Sequence, residues 1–353
     1  MAKIDLSKFE FKGKQVQEIG ELVWEIMRNT PSALSFVTVY DNIKVDTEVG
    51  FVGEGGLVGV KSTGCAPQPQ DFQVGTRTVK WTPEDWEVLL ELCYKEVEAT
   101  IAALGLNNGL RKPDLTNTDY MNIVVEALRR ALDKFLWRFI WFNDKQAANV
   151  SAGGQVTNGV AVKYFNIIDG LWKQIFAQAV LKPAQRITLS ANAGASYAQQ
   201  ELDPDDIRQA LYDMTFKAPL ELRGLAGTQI YVTQSVYDAY LRSLTDSEKV
   251  AIESREEKFI NGVPALKCNG YDVVAMPDWD ENIRKYFDNG TSLFNPHRAL
   301  MTNKRVLGVG FDDANDFSSL DIWYNKDERK NKIEGMGNGD SKILAPDLFV
   351  VAF

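Results

Sequence analysis

VGFVGEGGLVGVKSTG, residues 49–64, is the stretch that most narrows the folds open to this chain. It holds six glycines, Gly50, Gly53, Gly55, Gly56, Gly59 and Gly64, set among Val49, Phe51, Val52, Leu57, Val58 and Val60. Glycine loses more backbone freedom on ordering than any other residue, so a segment this rich in it does not hold a compact fold alone. Its apolar side chains still require a surface to cover them. Pro67 and Pro69 follow, and the whole of 46–80 reads as a long, extended, apolar loop. Two placements satisfy it: a hairpin folded onto its own domain, or an arm packed on a neighbouring subunit.

Working outward, Val16, Ile19, Val23, Ile26 and Met27 recur at helical spacing and predict a helix over 14–28, stopped at Asn29-Thr30-Pro31. Ser35 to Val45 is β-branched and aromatic, which predicts a strand. Thr82-Pro83-Glu84-Asp85 has the composition of a helix start, and the helix is expected to reach Leu104. The longest helix is expected over 119–142, about 36 Å long at 1.5 Å per residue. Its apolar pairs, from Ile123/Val124 to Phe139/Ile140, recur every fourth residue, so the stripe drifts about 40° per step around the axis. The section from Ala127 to Leu136 is therefore expected to be buried on most sides.

Residues 149–163 are rich in Gly, Ser and Asn and suggest a boundary. Beyond them the pattern is α/β-like. Helices are expected over 166–181, over 204–216 after the cap Asp203, from Ser235 to Leu244 and over 280–287. Strands are expected at 186–190, 228–233, 298–302, 305–310, 319–325 and 343–353. A hairpin over 265–276 turns on Asn269-Gly270.

The 353 residues are 45% hydrophobic and 25% charged, an ordinary globular balance whose length suggests two domains. The net charge of −9 argues against a surface that mainly grips phosphate. Cys65, Cys93 and Cys268 are isolated and odd in number, which reads as reduced thiols in a cytosolic compartment. The opening MAKIDLSKFEF carries charge where a signal peptide is apolar, and no apolar run approaches the roughly 20 residues of a membrane span. With His297 as the single histidine, two-histidine metal motifs are impossible.

Gly194-Ala195-Ser196-Tyr197-Ala198 approximates a nucleophile elbow, and Asp278 or Asp280 followed by His297 completes a hydrolase order. An elbow needs a helix directly after its serine, however, and here Pro204 restarts the helix several residues later. Asp203/Asp205/Asp206 read as a helix N-terminus, and Asp312/Asp313/Asp316 match a calcium loop only loosely. Arg329, Lys330 and Lys332, broken by Glu328 and Glu334, read as a solvated turn. Trp24, Trp86, Trp137, Trp141 and Trp172 fall on apolar helix faces and are assigned to core or interface. No catalytic, cofactor or metal site is expected.

The order of segments, together with Tyr164–Ile175 (YFNIIDGLWKQI), Thr228–Leu244 (TQIYVTQSVYDAYLRSL), Val263–Trp279 (VPALKCNGYDVVAMPDW) and the tail Ala299–Phe353, resembles the major capsid protein of tailed bacteriophages. That resemblance implies an α+β, HK97-like capsid fold over nearly the whole chain. Residues 1–45 would be the N-terminal arm and first strand, and 46–80 the E-loop lying over a neighbouring subunit. Val49, Phe51, Val52, Leu57, Val58, Val60 and Lys61 would then be its intersubunit residues. Residues 81–164 would form the P-domain with spine helix 119–142, 165–290 mostly the A-domain, and 291–353 return strands to the P-domain. The implied function is self-assembly, as hexamers and pentamers, into an icosahedral shell around double-stranded DNA. Implied partners are further copies of the chain, a portal and a separate scaffolding or decoration protein. Neither sequence-specific DNA contact nor a membrane is implied; the place is the virion, after assembly in the host cytoplasm. Two departures stand out: no long charged scaffolding segment precedes the arm, and Lys61, where some members crosslink, is more simply a solvated lysine. The rival within the fold is an encapsulin-type shell holding cargo, and the rival of another class is a serine hydrolase using Ser196.

Overall fold

The computed structural model describes residues 32–44, 47–55, 74–93, 95, 114–116, 119–147, 162–245, 248, 259–260, 263–313 and 320–353. The helix expected over 14–28 and most of the 149–163 segment lie outside the described residues.

Short apolar strands build one sheet. They are β5 (Arg186–Ile187), β6 (Thr228–Val232), β7 (Phe259–Ile260), β8 (Val263–Cys268), β9 (Tyr271–Ala275), β10 (Ala299–Asn303) and β14 (Phe349–Ala352), in the order β5-β14-β10-β6-β9-β8-β7. Successive side chains point to opposite faces, and here both faces are covered. Ile230, Val232, Val273, Ala275, Ala299, Met301, Val350 and Ala352 enter one core, while Tyr231, Val274, Leu300, Phe349 and Val351 enter the other. Near-continuous apolar runs are what a sheet covered on both sides requires. The β8–β9 turn carries Asn269 and Gly270 at φ 48° and 89°, the paired positive values of the expected hairpin turn.

The first face is covered by α3 (Pro204–Lys217) and α5 (Gln234–Ser243), with the short α4 (Leu220–Gly224) beside them. Asp203 caps α3 as expected, accepting from the Asp205 amide at 2.9 Å, with Pro204 in the first turn. The second face is covered by α1 (Asp119–Trp141), α2 (Leu171–Leu181) and α6 (Pro277–Tyr286). On α1, Met121, Val124, Leu128, Leu132 and Leu136 are buried, whereas Ala127, Ala131 and Asp133 are exposed. The middle of the helix therefore buries one face, not most sides. Small alanines at 127 and 131 let the drifting stripe pass through solvent. Only at the C-terminal end does the surround close, where Leu136, Trp137, Phe139, Ile140, Trp141 and Phe142 are all buried.

The second sheet holds β1 (Thr38–Tyr40), β4 (Glu84–Cys93), β11 (Leu307–Phe311), β12 (Asp321–Asn325) and β13 (Lys330–Ile343). Four expectations fail here. Residues 84–93 form a strand, not a helix. Trp86, Val88, Leu90 and Leu92 alternate with more exposed residues, a period of two that the Thr-Pro-Glu-Asp start signal obscures. Thr82 is not a helix cap: its amide and hydroxyl donate to Asp340 Oδ2 at 2.8 and 3.2 Å. The supposed solvated turn at 329–332 is a turn only at Arg329, with φ 55°, and Lys330 begins the 14-residue β13. β13 pairs with β4 from Lys330↔Cys93 to Gly339↔Glu84. The chain then turns at 345–348, so the expected final strand 343–353 shortens to β14. Ser35 to Val45 is likewise broken, with a 3-10 turn at Ala33–Phe36 before β1. Of residues 291–353, β10 and β14 join the seven-stranded sheet and β11 to β13 the second sheet, so the segment serves both.

α5 was expected to be capped by Ser235. Its N-terminus is capped instead from α6: Asp280 accepts from the Gln234 and Ser235 amides at 2.5 and 3.4 Å. Burial pushes the Asp280 carboxyl up to about 6 from 3.8, against these two amides and the charge of Arg284, which favour ionisation. A raised folded pKa means that stability is greatest when the group is protonated and falls as pH rises from about 4 through about 6.

Two outcomes are expected. Leu132→Ala should destabilise the unassembled chain by about 2–5 kcal/mol in denaturant unfolding, through lost contacts and a cavity, and exposed Arg129→Ala should stay within about 0.5 kcal/mol. An unchanged Leu132→Ala midpoint would contradict its burial. Asp280→Asn removes the titration, so its stability relative to the parent should improve between pH 4 and pH 7 by about 1–3 kcal/mol. A pH-independent difference would contradict the shifted carboxyl.

Candidate functional site

Among the described residues His297 bonds neither Ser196 nor Asp280. Ser196 is extended, with φ −140°, and leads into a 3-10 turn, Tyr197–Gln200, not into the α-helix an elbow needs. Gly194 is required for a different reason: a Cβ there would meet the Gln199 backbone at 2.7 Å. His297 is buried and both ring nitrogens are engaged, Nδ1 with Ser235 Oγ at 2.8 Å and Nε2 with the Gln200 carbonyl at 2.6 Å. A carbonyl only accepts, so Nε2 carries the proton and Nδ1 accepts from the Ser235 hydroxyl. Burial pushes the imidazole pKa down, which matches this neutral form. Asn192 brackets the same residue, accepting from its amide at 3.0 Å and donating to its carbonyl at 2.7 Å. The Asp278 carbonyl accepts from Asn282 Nδ2 at 2.8 Å, and the Asp280 carboxylate holds the start of α5. His297 thus works as a joint between the 190–200 loop, α5 and β10.

The acidic clusters also resolve into local roles. Asp203, Asp205 and Asp206 form the α3 N-terminus. Asp312 follows β11, where its carbonyl accepts from the Asn42 amide at 3.1 Å, and Asp316 lies outside the described residues. Among the described residues no group of three or more His, Cys, Asp or Glu could hold a metal ion, and no helix is long and apolar enough to cross a membrane. Lys330 pairs with Glu91 at 2.6 Å, and Lys332 with Glu91 and Glu328 at 3.4 and 2.8 Å, across β13 and β4.

The glycine-rich segment begins and ends as an antiparallel pair, β2 (Glu48–Gly55) with β3 (Val74–Lys80). Pairing runs from Glu48↔Lys80 to Val52↔Thr76, then shifts before Gly55↔Val74. Its base is anchored: Val49 and Val79 pack with Tyr40 against buried Ile43, Trp81 and Leu344. The Trp81 amide donates to the Thr47 carbonyl at 3.0 Å, and Arg77 Nη2 donates to the Leu344 carbonyl. One residue further out, a Cβ on Gly50 would meet no atom within 4 Å. Of the residues expected to cross to a neighbour, Val49 sits at this base, Phe51 and Val52 lie further along β2, and Leu57, Val58, Val60 and Lys61 lie outside the described residues.

Tertiary structure also reveals apolar surface that the sequence did not mark. Val180 and Leu181 end α2 at 69% and 75% exposure, and Phe216 and Leu220 flank the α3–α4 junction at 64% and 78%. Leu89 and Met336 are exposed diagonal neighbours on one face of the β4–β13 pair. Periodicity places such residues on the apolar face of a helix or strand without saying that the face is uncovered.

No family model matches the chain, and no curated protein matches it. Solved structures do match along almost its whole length. A chain of Gordonia phage Cozz is 15% identical with a TM-score of 0.53, covering 94% of this chain and 88% of that one. In the capsid structure of the cyanophage P-SCSP1u the values are 13% identity and a TM-score of 0.51, with 95% and 91% covered. A chain of Mycobacterium phage Bobi is 10% identical with a TM-score of 0.50, covering 99% and 98%. Near-complete coverage with little shared sequence shows a common fold: this chain folds like the chain in the cyanophage capsid structure.

Proposed function

We propose that this chain is a major capsid protein, which assembles with copies of itself, as hexamers and pentamers, into the icosahedral shell around the double-stranded DNA of a tailed bacteriophage. The observation that carries the proposal is the fold shared with the cyanophage capsid chain over 95% of this chain. The β2–β3 pair fits the role of an arm reaching a neighbour, because its described packing contacts lie at its base and the glycine-rich sequence that follows β2 is apolar. Exposed Val180, Leu181, Phe216 and Leu220 offer further surface for copies to cover. The role proposed is structural, not enzymatic, and the engagement of both His297 ring nitrogens by Ser235 and Gln200 supports it. An acidic chain lets packaged DNA move without sticking. The virion is its proposed place, after assembly in the host cytoplasm, with a portal and a scaffolding or decoration protein as further partners.

Negative-stain microscopy of the purified protein should show closed shells, or capsomers that close into shells. Deleting residues 49–64 should leave a folded core by circular dichroism but no closed shells; normal particles from the deletion would overturn the arm. Ser196→Ala should assemble like the parent. A hydrolytic activity of the parent that this substitution abolished would overturn the structural role.

A further inference from the structure

Arg298 lies between His297 and the start of β10 and is 1% exposed. Aromatic rings enclose its guanidinium, with centroids at 4.9 Å (Trp172), 5.1 Å (Phe176), 5.4 Å (Phe142) and 6.0 Å (Phe287). Nε donates to the Asn295 carbonyl at 2.8 Å and Nη2 to the Phe294 carbonyl at 3.2 Å. A guanidinium has five N–H donors. Among the described residues no acceptor meets Nη1 and no carboxylate forms an ion pair with the group. Burial pushes its pKa down to about 9, and the charge of Asp280 offsets this only in part. A cation taken out of water without a counter-charge is costly, and cation–π contacts recover a share of that cost.

Asn143 stands on the wall of the same space. It is 0% exposed, and among the described residues neither its Oδ1 nor its Nδ2 has a partner. Buried side-chain amides are nearly always satisfied. Two unpartnered polar groups from distant parts of the chain thus face one pocket. The pocket has room of about 30 Å³ and is lined by Arg298, Asn143, the rings of Phe142, Trp172, Phe176, Phe287 and Phe294, and the Lys173–Asp144 ion pair, whose charges offset each other. A water needs roughly 10–15 Å³, so the space suits one small ion with at most a companion water.

We propose that this pocket binds a small monoanion, of halide or formate size, held by Arg298 Nη1 and Asn143 Nδ2. The aromatic walls lower the polarity around the group, which strengthens the charge-assisted bond. Asn143 Oδ1 remains for a companion water. Multivalent oxyanions do not suit so small a space, where the second cation, Lys173, is already paired with Asp144 and Asp169. The bound ion would tie the end of α1 to α2 and β10. The inference is independent of the shell proposal, since it rests on this chain's own interior.

The test uses the purified full chain in sodium gluconate, an anion too large for the pocket. Sodium bromide replaces gluconate at constant ionic strength while the thermal midpoint is followed. The midpoint should rise and saturate, as expected for a ligand that binds only the folded state. Asn143→Leu should raise the half-saturating bromide concentration at least tenfold. Asn143→Asp supplies a tethered carboxylate, so the bromide response should vanish. Anomalous diffraction from bromide-soaked crystals should place a peak between Arg298 and Asn143. Superimposable bromide and gluconate curves for the parent, an undiminished response in both variants, or water alone in the pocket would overturn the site. If neither variant folds, the parent's bromide-against-gluconate comparison and the anomalous map still decide.

Discussion

Three indole rings meet where α1, α2 and α6 converge, and the placement of the remaining elements depends on that contact. Trp279 lies 4.8 Å from both Trp141 and Trp172, edge to face in each pair, and Trp141 lies 6.2 Å from Trp172. All three are at most 2% exposed. Such pairs contribute about 0.5–1.5 kcal/mol each beyond the area they bury. They come from segments far apart in the chain, so their meeting decides how the long helix crosses the larger sheet. Gly170 permits the close approach of α2, because a Cβ there would strike the Asn143 backbone at 2.8 Å. Beneath the rings the same core continues into Tyr231, Val274 and Leu300, so sheet and helices share one interior.

β13 provides the second dependency. Its sequence, KNKIEGMGNGDSKI, has the glycines and asparagines that strands usually avoid. Tertiary packing explains them. A Cβ on Gly339 would strike Phe311 at 2.8 Å, and on its partner β11 one on Gly308 would strike Leu344 at 2.9 Å and one on Gly310 would strike Ile43 at 2.4 Å. The strands lie under large side chains that leave no room for a Cβ. The polar residues are likewise tied into the structure: buried Asn331 Oδ1 accepts from the Leu115 amide at 2.8 Å, and Asp340 receives Thr82.

The polar residues that looked chemical are structural joints. His297 links a loop, a helix and a strand, Asp280 caps a helix it does not belong to, and Arg298 fills an aromatic cage. His297 and Asp280 were visible in the sequence as candidates, Arg298 was not, and none of their partners was. The partners are backbone groups and rings brought close only by folding, so spacing in the chain carries no trace of them. The features that suit a shell are different in kind, namely a strand pair anchored at its base and apolar side chains left uncovered.

The amino-acid sequence by itself determined the elements whose signal is local. The long helix 119–141, the cap at Asp203, the Asn269-Gly270 hairpin and the apolar strands near 230, 273, 300 and 350 all follow from periodicity, capping and turn chemistry within a few residues. The order of those elements also carried the family resemblance. Tertiary structure alone decided the rest. It made 84–93 a strand because ten consecutive positions of β13 pair with it, although its first residues have the composition of a helix start. It decided which helix faces stay exposed and which buried polar groups find partners. Those outcomes depend on what lies across the space from a residue, and a neighbour hundreds of positions away leaves no mark on the local pattern.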